Sequence, residues 1–269
     1  MLIDSVLSEP LQRRLRMLVA GPRLASDLRS ARELARLGAA KEHRDASGET
    51  IEVRLRPLGG RGVAVRPGTA DVDTVWGTFI GRHHLPPPGV ADRPGSRVLD
   101  LGCNTGLTMA HLAEALPGAR IVGVELDEGN AQLARRNLEP WRDRCAVIHA
   151  AVWPEDGEVW YHRWPGATSG YYVARPERQA EPEGPVVPAL SLDSLVGVEP
   201  VDYVKMDVEG AEQHLLRENT AWAKLVGCIK VEVHEPYTVV ECVEDLTRLG
   251  LRAERDRRHP AAVIGRRAR

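Results

Sequence analysis

Three features of the sequence predict an α/β fold, with helices on both faces of an open, mostly parallel sheet. An apolar run over residues 97–101 breaks at Gly102, and a helical pattern starts near Thr105. This combination predicts a buried strand, a glycine turn and a helix. A second apolar run ends in Glu125, about twenty residues after the turn. From residue 97 onward, strand and helix patterns alternate, which is typical of a doubly wound sheet.

The chain before this sheet is predicted to form helices and a hairpin. Amphipathic patterns predict helices over residues 8–20 and 26–37, the first ended by Gly21–Pro22 and the second capped by Ser26. We expect this helix pair to pack on the side of the domain rather than over its cleft. Alternating apolar and polar residues on either side of a Pro–Gly turn predict a hairpin over residues 50–65.

Residues Val72 to Ile80 are predicted to form another short strand. The proline- and glycine-rich stretch 86–95 then forms a stiff connection into the sheet. We therefore divide the chain into an N-terminal extension, residues 1–90, and a main domain, residues 91–269.

The main domain is predicted to contain five parallel strands, a late helix and a closing hairpin. The five strands span 98–101, 121–124, 146–149, 203–206 and 228–233, the helix spans 241–249, and the hairpin pairs 251–254 with 262–264.

The turn from Gly102 to Gly106 predicts a nucleoside site, because glycines let the backbone approach a ligand closely. Glu125 follows at the spacing that holds a ribose diol. A dinucleotide site would use G-x-G-x-x-G, but Asn104 replaces the second glycine, and Asp100 would repel a phosphate. The pattern resembles the first motif of S-adenosylmethionine-dependent methyltransferases, whose ligand carries an ammonium and a sulfonium group. The predicted cofactor residues are Asp100, Gly102, Cys103, Asn104, Thr105, Gly106, Glu125, Leu126 and Ala151.

A second motif narrows this resemblance. The segment Val201–Glu212 contains the run K-x-D-x-E-G-x-E and resembles the signature of FkbM-type methyltransferases, whose flanking segments match residues 190–195 and 229–235. The resemblance covers about residues 70 to 250. It implies a Rossmann-like doubly wound methyltransferase sheet with an N-terminal helical and hairpin extension, and O-methylation of a hydroxyl on a small-molecule natural product or sugar. Alternatives are N- or carboxyl-methylation, or a non-catalytic nucleoside-binding module.

The catalytic candidates follow the ends of two central strands. They are Asp207, His234 and Glu209. Asp207 lies in the motif beside a glycine, and histidine has an unperturbed pKa suited to a general base at neutral pH. A hydrogen-bonded histidine near a helix cap is the alternative for His234. Glu212 is predicted to cap the next helix, and Lys205 to pair with a carboxylate.

No metal is predicted as part of the site. Asp207 with Glu232 or Glu235 would offer hard oxygen ligands that suit Mg²⁺, but this spacing does not favour a metal over an acid-lined cofactor cleft.

An aromatic cluster predicts the acceptor site. Trp160, Trp164 and Tyr171 precede a polar, proline-rich stretch over residues 175–188. A flexible loop beside aromatic side chains suggests a wall or lid for the substrate. A hairpin whose aromatic residues cover the edge of the sheet is an equally good interpretation. We place His83–His84 and His162–Arg163 at the surface rather than in the cleft.

Composition limits the remaining possibilities. The net charge of −2 offers no basic surface for nucleic acid or membranes. The four cysteines lack paired spacing, so we expect reduced core residues and no structural zinc.

Charged residues interrupt the first twenty positions, which excludes a signal peptide there and favours a cytoplasmic protein. The expected partner is a small-molecule acceptor, and the chain is expected to be a monomer or a homodimer.

Overall fold

The computed structural model describes residues 9–39, 49–163, 171–174 and 184–268. Its helices are α1 (Glu9–Leu24), α2 (Leu28–Ala39), α3 (Asp71–Trp76), α4 (Leu107–Ala115), α5 (Glu128–Asn137), α6 (Leu192–Val196), α7 (Glu212–Arg217) and α8 (Val239–Arg248). Its strands are β1 (Ile51–Arg54), β2 (Gly62–Val65), β3 (Arg97–Leu101), β4 (Arg120–Glu125), β5 (Cys145–His149), β6 (Ala151–Val152), β7 (Gly157–Arg163), β8 (Tyr171–Ala174), β9 (Val186–Leu190), β10 (Tyr203–Met206), β11 (Cys228–Glu232), β12 (Arg252–Arg255) and β13 (Ala262–Arg266).

Seven strands form the main sheet in the order β12-β13-β11-β10-β3-β4-β5. The five strands from β11 to β5 are parallel, and β13 runs antiparallel to both β11 and β12. The chain moves outward from β3 in one direction through β4 and β5, then returns to β10 and moves the other way. This reversal between β3 and β10 is the topological switch point at which doubly wound folds bind ligands. The predicted fold class is confirmed.

Helices cover both faces of this sheet, as the long apolar runs of its strands require. One apolar cluster includes Met109 and Leu112 of α4, and another includes Leu215 of α7 and Leu246 of α8. All four cysteines are buried and free, as expected for reduced core residues. Within the described ranges, no helix has the length and apolarity to cross a membrane.

The N-terminal helices and hairpin form as predicted, with two differences at helix ends. α1 continues through Pro22 to Leu24, which is 3% exposed. Burial of the Leu24 side chain offsets the cost of the backbone hydrogen bond that a proline inside a helix removes. The cap of α2 is Asp27 rather than Ser26, because the Asp27 carboxylate accepts the backbone N–H of Ser30 at 2.7 Å. The domain boundary near residue 90 stays a prediction.

The strand predicted over Val72–Ile80 is wrong. The segment forms α3 and then a π-helical turn, Gly77–Gly81. Asp71 and Asp73 lie in the first helical turn, where carboxylates favour the positive end of the helix dipole. Asp71 also accepts the backbone N–H of Arg66 at 2.9 Å, which fixes the start of the helix.

A second sheet contains part of the aromatic segment, with strand order β6-β9-β7-β8. Trp160 lies on β7 and Tyr171 begins β8. The end of the proline-rich stretch, from Val186, belongs to β9 rather than to a loop. Its earlier part, residues 175–183, lies outside the described residues, as does Trp164.

Candidate active site

The glycine turn lies directly against the end of a neighbouring strand. Gly102 has a φ of +77°, and a Cβ there would lie 1.8 Å from the carbonyl oxygen of Asp207. Gly106 has a φ of +77° as well and is the N-cap of α4. Glycine is therefore required at Gly102 by both backbone conformation and space. The backbone of the turn therefore packs directly against the backbone of Asp207.

Glu125 ends β4 and holds the turn in place. Its Oε2 accepts the backbone N–H of Asn104 at 2.8 Å, and its Oε1 accepts that of Asp127 at 2.9 Å. The residue is 5% exposed. Burial, opposed by these two backbone hydrogen bonds, raises the pKa of Glu125 to about 7. Nδ2 of Asn130 also donates to Oε1, over a longer distance of 3.5 Å, so Oε2 is the oxygen that retains a lone pair for a ligand diol.

A cleft opens at this point between the turn, the end of β4 and the end of β10. Five of the predicted cofactor residues line it, namely Gly102, Asn104, Glu125, Leu126 and Ala151. Sequence reasoning missed Val124, Asn130, Ala150, Val152, Val173, Val208 and Ala211, which line it too. Asp207 and Glu209, predicted as catalytic, also reach this cleft.

The other four predicted cofactor residues do not line this cleft. Asp100 lies beneath the turn without exposed surface, and its Oδ1 is 3.2 Å from Nζ of Lys205. Thr105 is buried and Gly106 serves as the helix cap. Cys103 lines a neighbouring cavity instead. In this structure Asp100, Thr105 and Gly106 shape the turn rather than its ligand-facing surface.

Lys205 joins two carboxylates below the cleft. Its Nζ lies 3.1 Å from Oδ2 of Asp207, in addition to its contact with Asp100, and donates to the Gly102 carbonyl at 3.0 Å. Burial opposes the charged ammonium, but the two carboxylates outweigh it and raise the pKa of Lys205. Burial would raise the pKa of Asp207, but the charges of Lys205 and His234, together with the hydrogen bond from Lys205, outweigh it and lower that pKa. Asp207 is thus held as an oriented anion.

His234 lies beside Asp207, lines the neighbouring cavity rather than the cleft, and is oriented by Glu212. Its Nδ1 is 2.8 Å from Oε1 of Glu212, whereas its Nε2 is 3.6 Å from both Asp207 Oδ1 and Glu209 Oε2. Burial would lower the pKa of His234, but the hydrogen bond to Glu212 and the surrounding carboxylates raise it to about 9. Histidine at this position is therefore positively charged at neutral pH.

Two further carboxyl groups titrate near neutrality. Burial, reinforced by the charge of Asp207, raises the pKa of Glu209 and that of Glu232 to about 7. One atom each of Asp207, Glu232 and His234 lie within 4.8 Å of one another. Among the described residues, this is the group whose donor atoms suit a divalent cation. Glu235, the other ligand considered from sequence, is not part of it.

The predicted acceptor residues do not converge on the cleft. Trp160 stacks on His162 with ring centroids 5.6 Å apart and lines neither the cleft nor the neighbouring cavity. Trp164 and the Tyr171 side chain lie outside the described part of the chain. Val173 of β8 does line the cleft, so the second sheet contributes to it through a different residue. The roles of Trp160, Trp164 and Tyr171 stay predictions.

Comparisons with known proteins agree with this geometry. Residues 98–158, from β3 to β7, match a family model described as a methyltransferase domain. The comparisons support an S-adenosylmethionine-dependent methyltransferase. This segment contains the glycine turn and Glu125, which is the half of the cleft assigned to the cofactor.

Two curated relatives match parts of the chain. A demethylmenaquinone methyltransferase from Symbiobacterium thermophilum is 37% identical over 68 residues, which are 24% of this chain and 24% of the relative. The 2-O-methyltransferase NoeI from Sinorhizobium fredii is 27% identical over 141 residues, which are 46% of this chain and 58% of the relative. The chain thus spans less than two thirds of either relative.

Among solved structures, the pyocyanin biosynthetic protein PhzM superimposes with a TM-score of 0.43 at 17% identity, covering 74% of this chain and 56% of that one. The strand order of the sheet, rather than this superposition, defines the fold.

Proposed function

We propose that this protein is an FkbM-type methyltransferase that transfers a methyl group from S-adenosylmethionine to a hydroxyl of a small molecule. One observation carries the proposal: the buried Glu125, bound to the turn at Asn104, shares a cleft with the oriented carboxylate Asp207 at the switch point of the sheet. A ribose-binding acid and a group suited to the acceptor therefore face the same space.

The charges in the cleft suit S-adenosylmethionine better than a dinucleotide. Glu125, Asp207 and Glu209 all line it. Carboxylates attract the ammonium and sulfonium groups of S-adenosylmethionine, whereas they would repel a pyrophosphate. Glu125 would accept a hydrogen bond from one ribose hydroxyl at Oε2, and from the other at Oε1 in place of the long bond from Asn130.

The chemistry is an in-line displacement. The acceptor oxygen forms a bond to the methyl carbon, the carbon–sulfur bond breaks, and the electron pair leaves with sulfur as a thioether. The hydroxyl proton must pass to a base. With a pKa near 9, His234 already carries its proton at neutral pH, so the acceptor role falls to the carboxylates of Asp207, Glu209 and Glu232. His234 then orients these groups and balances their charge.

The group formed by Asp207, Glu232 and His234 also fits a divalent cation. When bound, a cation such as Mg²⁺ would supply Lewis acidity toward the acceptor oxygens. The same three side chains would serve as its ligands, so metal-assisted transfer and direct proton transfer to a carboxylate would use one site. The effect of a metal chelator on activity distinguishes between them.

The proposal is tested in two steps. Calorimetry should show that the protein binds S-adenosylhomocysteine and does not bind NAD; the reverse result overturns the proposal. Incubation with methyl-labelled S-adenosylmethionine and a panel of hydroxylated, amino and carboxylated acceptors, followed by mass spectrometry, should place the label on oxygen of a hydroxyl. Label on nitrogen or on a carboxylate would assign the alternative chemistries. Cofactor binding without transfer to any acceptor would favour the nucleoside-binding module.

A further inference from the structure

A second cavity of about 310 Å³ adjoins the cofactor cleft. The two share Gly102, Asn104, Asp207 and Glu209, so a molecule in this cavity would face the reacting end of the cofactor. Its volume lies at the lower end of the range for small-molecule sites, roughly 300–1,000 Å³. The space therefore suits a single substituted ring rather than a polycyclic scaffold.

A pair of histidines forms one wall of this cavity. The rings of His83 and His259 stack with centroids 4.5 Å apart and an angle of 20° between their planes. Lys230 anchors the first segment by donating to the His83 carbonyl at 2.7 Å and the Leu85 carbonyl at 3.2 Å. Nε2 of His259 lies 3.6 Å from Oε1 of Glu232. The imidazole pair is thus fixed beside the carboxylates at the strand ends.

These imidazoles can both donate and accept hydrogen bonds. Burial, with the nearby Lys230 charge, lowers the pKa of His83. A neutral imidazole presents one donor and one acceptor nitrogen. Nδ1 of His83 has no accessible surface, so hydrogen bonds to a ligand would be made by the other ring nitrogens of this pair. Such a wall is complementary to hydroxyl groups.

The charges of the cavity argue against an anionic ligand. Its two lysines are already engaged, Lys205 by Asp100 and Asp207, and Lys230 by Asp256 at 2.8 Å. Carboxylates of Asp207, Glu209 and Glu232 line the same space. His234, which also lines the cavity, is engaged by Glu212 at 2.8 Å. A ligand carboxylate or phosphate would therefore meet these negative charges with no unpaired cation among the described lining residues to offset them.

The cavity also lacks the walls expected for a flat aromatic ligand. None of its described lining residues is Trp, Tyr or Phe. The predicted aromatic wall at Trp160 lies elsewhere, as described above. Hydrogen-bonding side chains therefore dominate the recognition of whatever binds here.

We propose that this cavity is the acceptor site, that it takes a neutral, hydroxyl-rich single ring such as a pyranose unit, and that His83 and His259 determine this specificity. The proposal rests on the proposed function, because it supplies the acceptor for that reaction. The hydroxyl to be methylated would lie at the carboxylate side, near Asp207, while the remaining hydroxyls bond to the histidine wall.

The test measures binding by saturation-transfer NMR on wild-type protein saturated with S-adenosylhomocysteine. The probes are methyl glycosides of a neutral hexose and a 6-deoxyhexose, the matched methyl glycoside of a hexuronic acid, and catechol. At least one neutral glycoside should bind more tightly than the hexuronate and catechol. His83→Ala and His259→Ala should each weaken it about fivefold or more, the effect of one lost hydrogen bond.

His214→Ala is the matched control, because His214 is exposed on α7 and lines neither the cleft nor the cavity. Its Nδ1 lies 2.8 Å from Oε1 of Glu218, and its ring lies against Trp153. It should bind glycosides like the wild type. If an alanine variant does not fold by circular dichroism, the corresponding glutamine variant replaces it and should weaken binding in the same direction.

The proposal is overturned if the protein binds S-adenosylhomocysteine but no neutral glycoside, if hexuronate or catechol binds as tightly, or if the His83 and His259 variants behave like His214→Ala. If the wild type does not bind S-adenosylhomocysteine, the proposed function fails separately. The same glycosides are then tested on cofactor-free protein, where absence of binding overturns this inference as well.

Discussion

Glu212 holds His234 at 2.8 Å through Oε1 and Nδ1, and the glutamate side chain has no exposed surface. The same carboxylate accepts the backbone N–H of Gly210 at 2.9 Å and that of Val208 at 3.3 Å. Glu212 begins α7, so the predicted position at the helix start is correct. Its contacts do more than cap a helix, because they join the loop after β10 to the histidine after β11 and aim Nε2 toward Asp207.

We predict that Glu212→Gln lowers the pKa of His234 from about 9 toward the ordinary value of 6.5. The amide keeps the shape of the side chain but removes the charge that favours the imidazolium. NMR titration of the histidine ring protons measures this shift. Glu218→Gln, next to the exposed His214, is the control and should leave the titration of His234 unchanged. An unaltered His234 pKa in Glu212→Gln would refute the assigned cause.

The same pair makes a pH-dependent contribution to stability. A histidine whose pKa is raised on folding stabilises the native state fully below its unfolded pKa, and this contribution is lost as the pH rises through the folded value. The difference in unfolding free energy between wild type and Glu212→Gln should therefore be largest near pH 6 and shrink by pH 9 to 10. Urea unfolding at a series of pH values measures it. A difference that grows with pH would contradict the interpretation.

Glu125 should make cofactor affinity depend on pH. Its pKa is raised to about 7 in the free protein, and the ionised form is the better acceptor for two ribose hydroxyls. We expect S-adenosylhomocysteine to bind more tightly as the pH rises from 6 to 8. Glu125→Ala should weaken binding at least about tenfold at pH 8, since hydrogen bonds to charged groups contribute roughly 1.5–3 kcal/mol.

Glu125→Gln provides the control for that pH dependence. Its binding should be weak and should depend less on pH than that of the wild type, because Glu209 then remains as the cleft carboxyl whose pKa is raised to about 7. Glu128→Gln, at an acid in the first turn of α5, should leave both affinity and pH dependence as in the wild type. Calorimetry that finds equal affinity in Glu125→Ala would remove Glu125 from the site.

The parts of the site that sequence reasoning found are those encoded locally. The glycine turn, Asn104 and Glu125 lie on one strand–turn–helix–strand unit, so spacing alone indicates their proximity. The helix of Val72, Val75 and Phe79 was missed, although these buried residues recur at helical spacing. A short apolar segment fits both the helical period of about 3.6 residues and the strand period of about two, so its pattern alone does not decide between helix and strand.

The second cavity could not be derived in this way. His83 reaches it because Lys230, far along the chain, bonds to the carbonyls of His83 and Leu85. His259 enters from the connection between β12 and β13, which the sequence marks only as a hairpin turn. Neither histidine has a local pattern that points to a cleft, since their proximity arises from strand order. The sequence therefore favoured the aromatic segment, where residue type alone suggested a ligand.

Lys205 should be important for stability. Lys205→Met removes the buried cation between Asp100 and Asp207. Asp100 then keeps the Thr108 hydroxyl and Asp207 keeps the more distant His234, but neither keeps the close ammonium that joins them. Breaking a buried ion pair in this way costs about 3–5 kcal/mol, so a large drop in unfolding free energy is expected from urea titration. Lys224→Met, at an exposed lysine, should change it by less than about 0.5 kcal/mol. Equal stability of the two variants would show that the buried pair is not ionised.

Gly102→Ala should disrupt the site through the backbone. The new Cβ would lie 1.8 Å from the Asp207 carbonyl oxygen at a φ of +77°, so the turn and the end of β10 must move apart. We expect lower thermal stability and loss of measurable S-adenosylhomocysteine binding. Gly77→Ala is the matched control, because its Cβ would meet no atom within 4 Å and its φ is helical. If both variants bind the cofactor alike, the turn is not the cofactor site.

Asp207→Asn tests the chemical step, because it keeps the shape of the side chain and removes the charge that Lys205 orients. A positioned base contributes roughly a hundred- to ten-thousand-fold to a proton transfer, and kcat for the true acceptor should fall by about that factor. The affinity for S-adenosylhomocysteine should change far less, since Glu125 and the turn remain intact. Asp143→Asn, at an exposed aspartate, controls for the loss of one charge and should retain the wild-type kcat.

Chelation with EDTA distinguishes between two roles for Asp207, as a metal ligand and as a group that acts directly on the acceptor. If activity is lost in EDTA and restored by Mg²⁺, the carboxylate acts as a metal ligand with Glu232 and His234, and Mn²⁺ binding followed by electron paramagnetic resonance should weaken in Asp207→Asn. If activity is indifferent to EDTA, Asp207 acts directly on the acceptor proton or its orientation. A wild-type kcat in Asp207→Asn would contradict both roles. The base would then lie at Glu209 or Glu232, the two neighbouring carboxyl groups whose pKa values are raised to about 7.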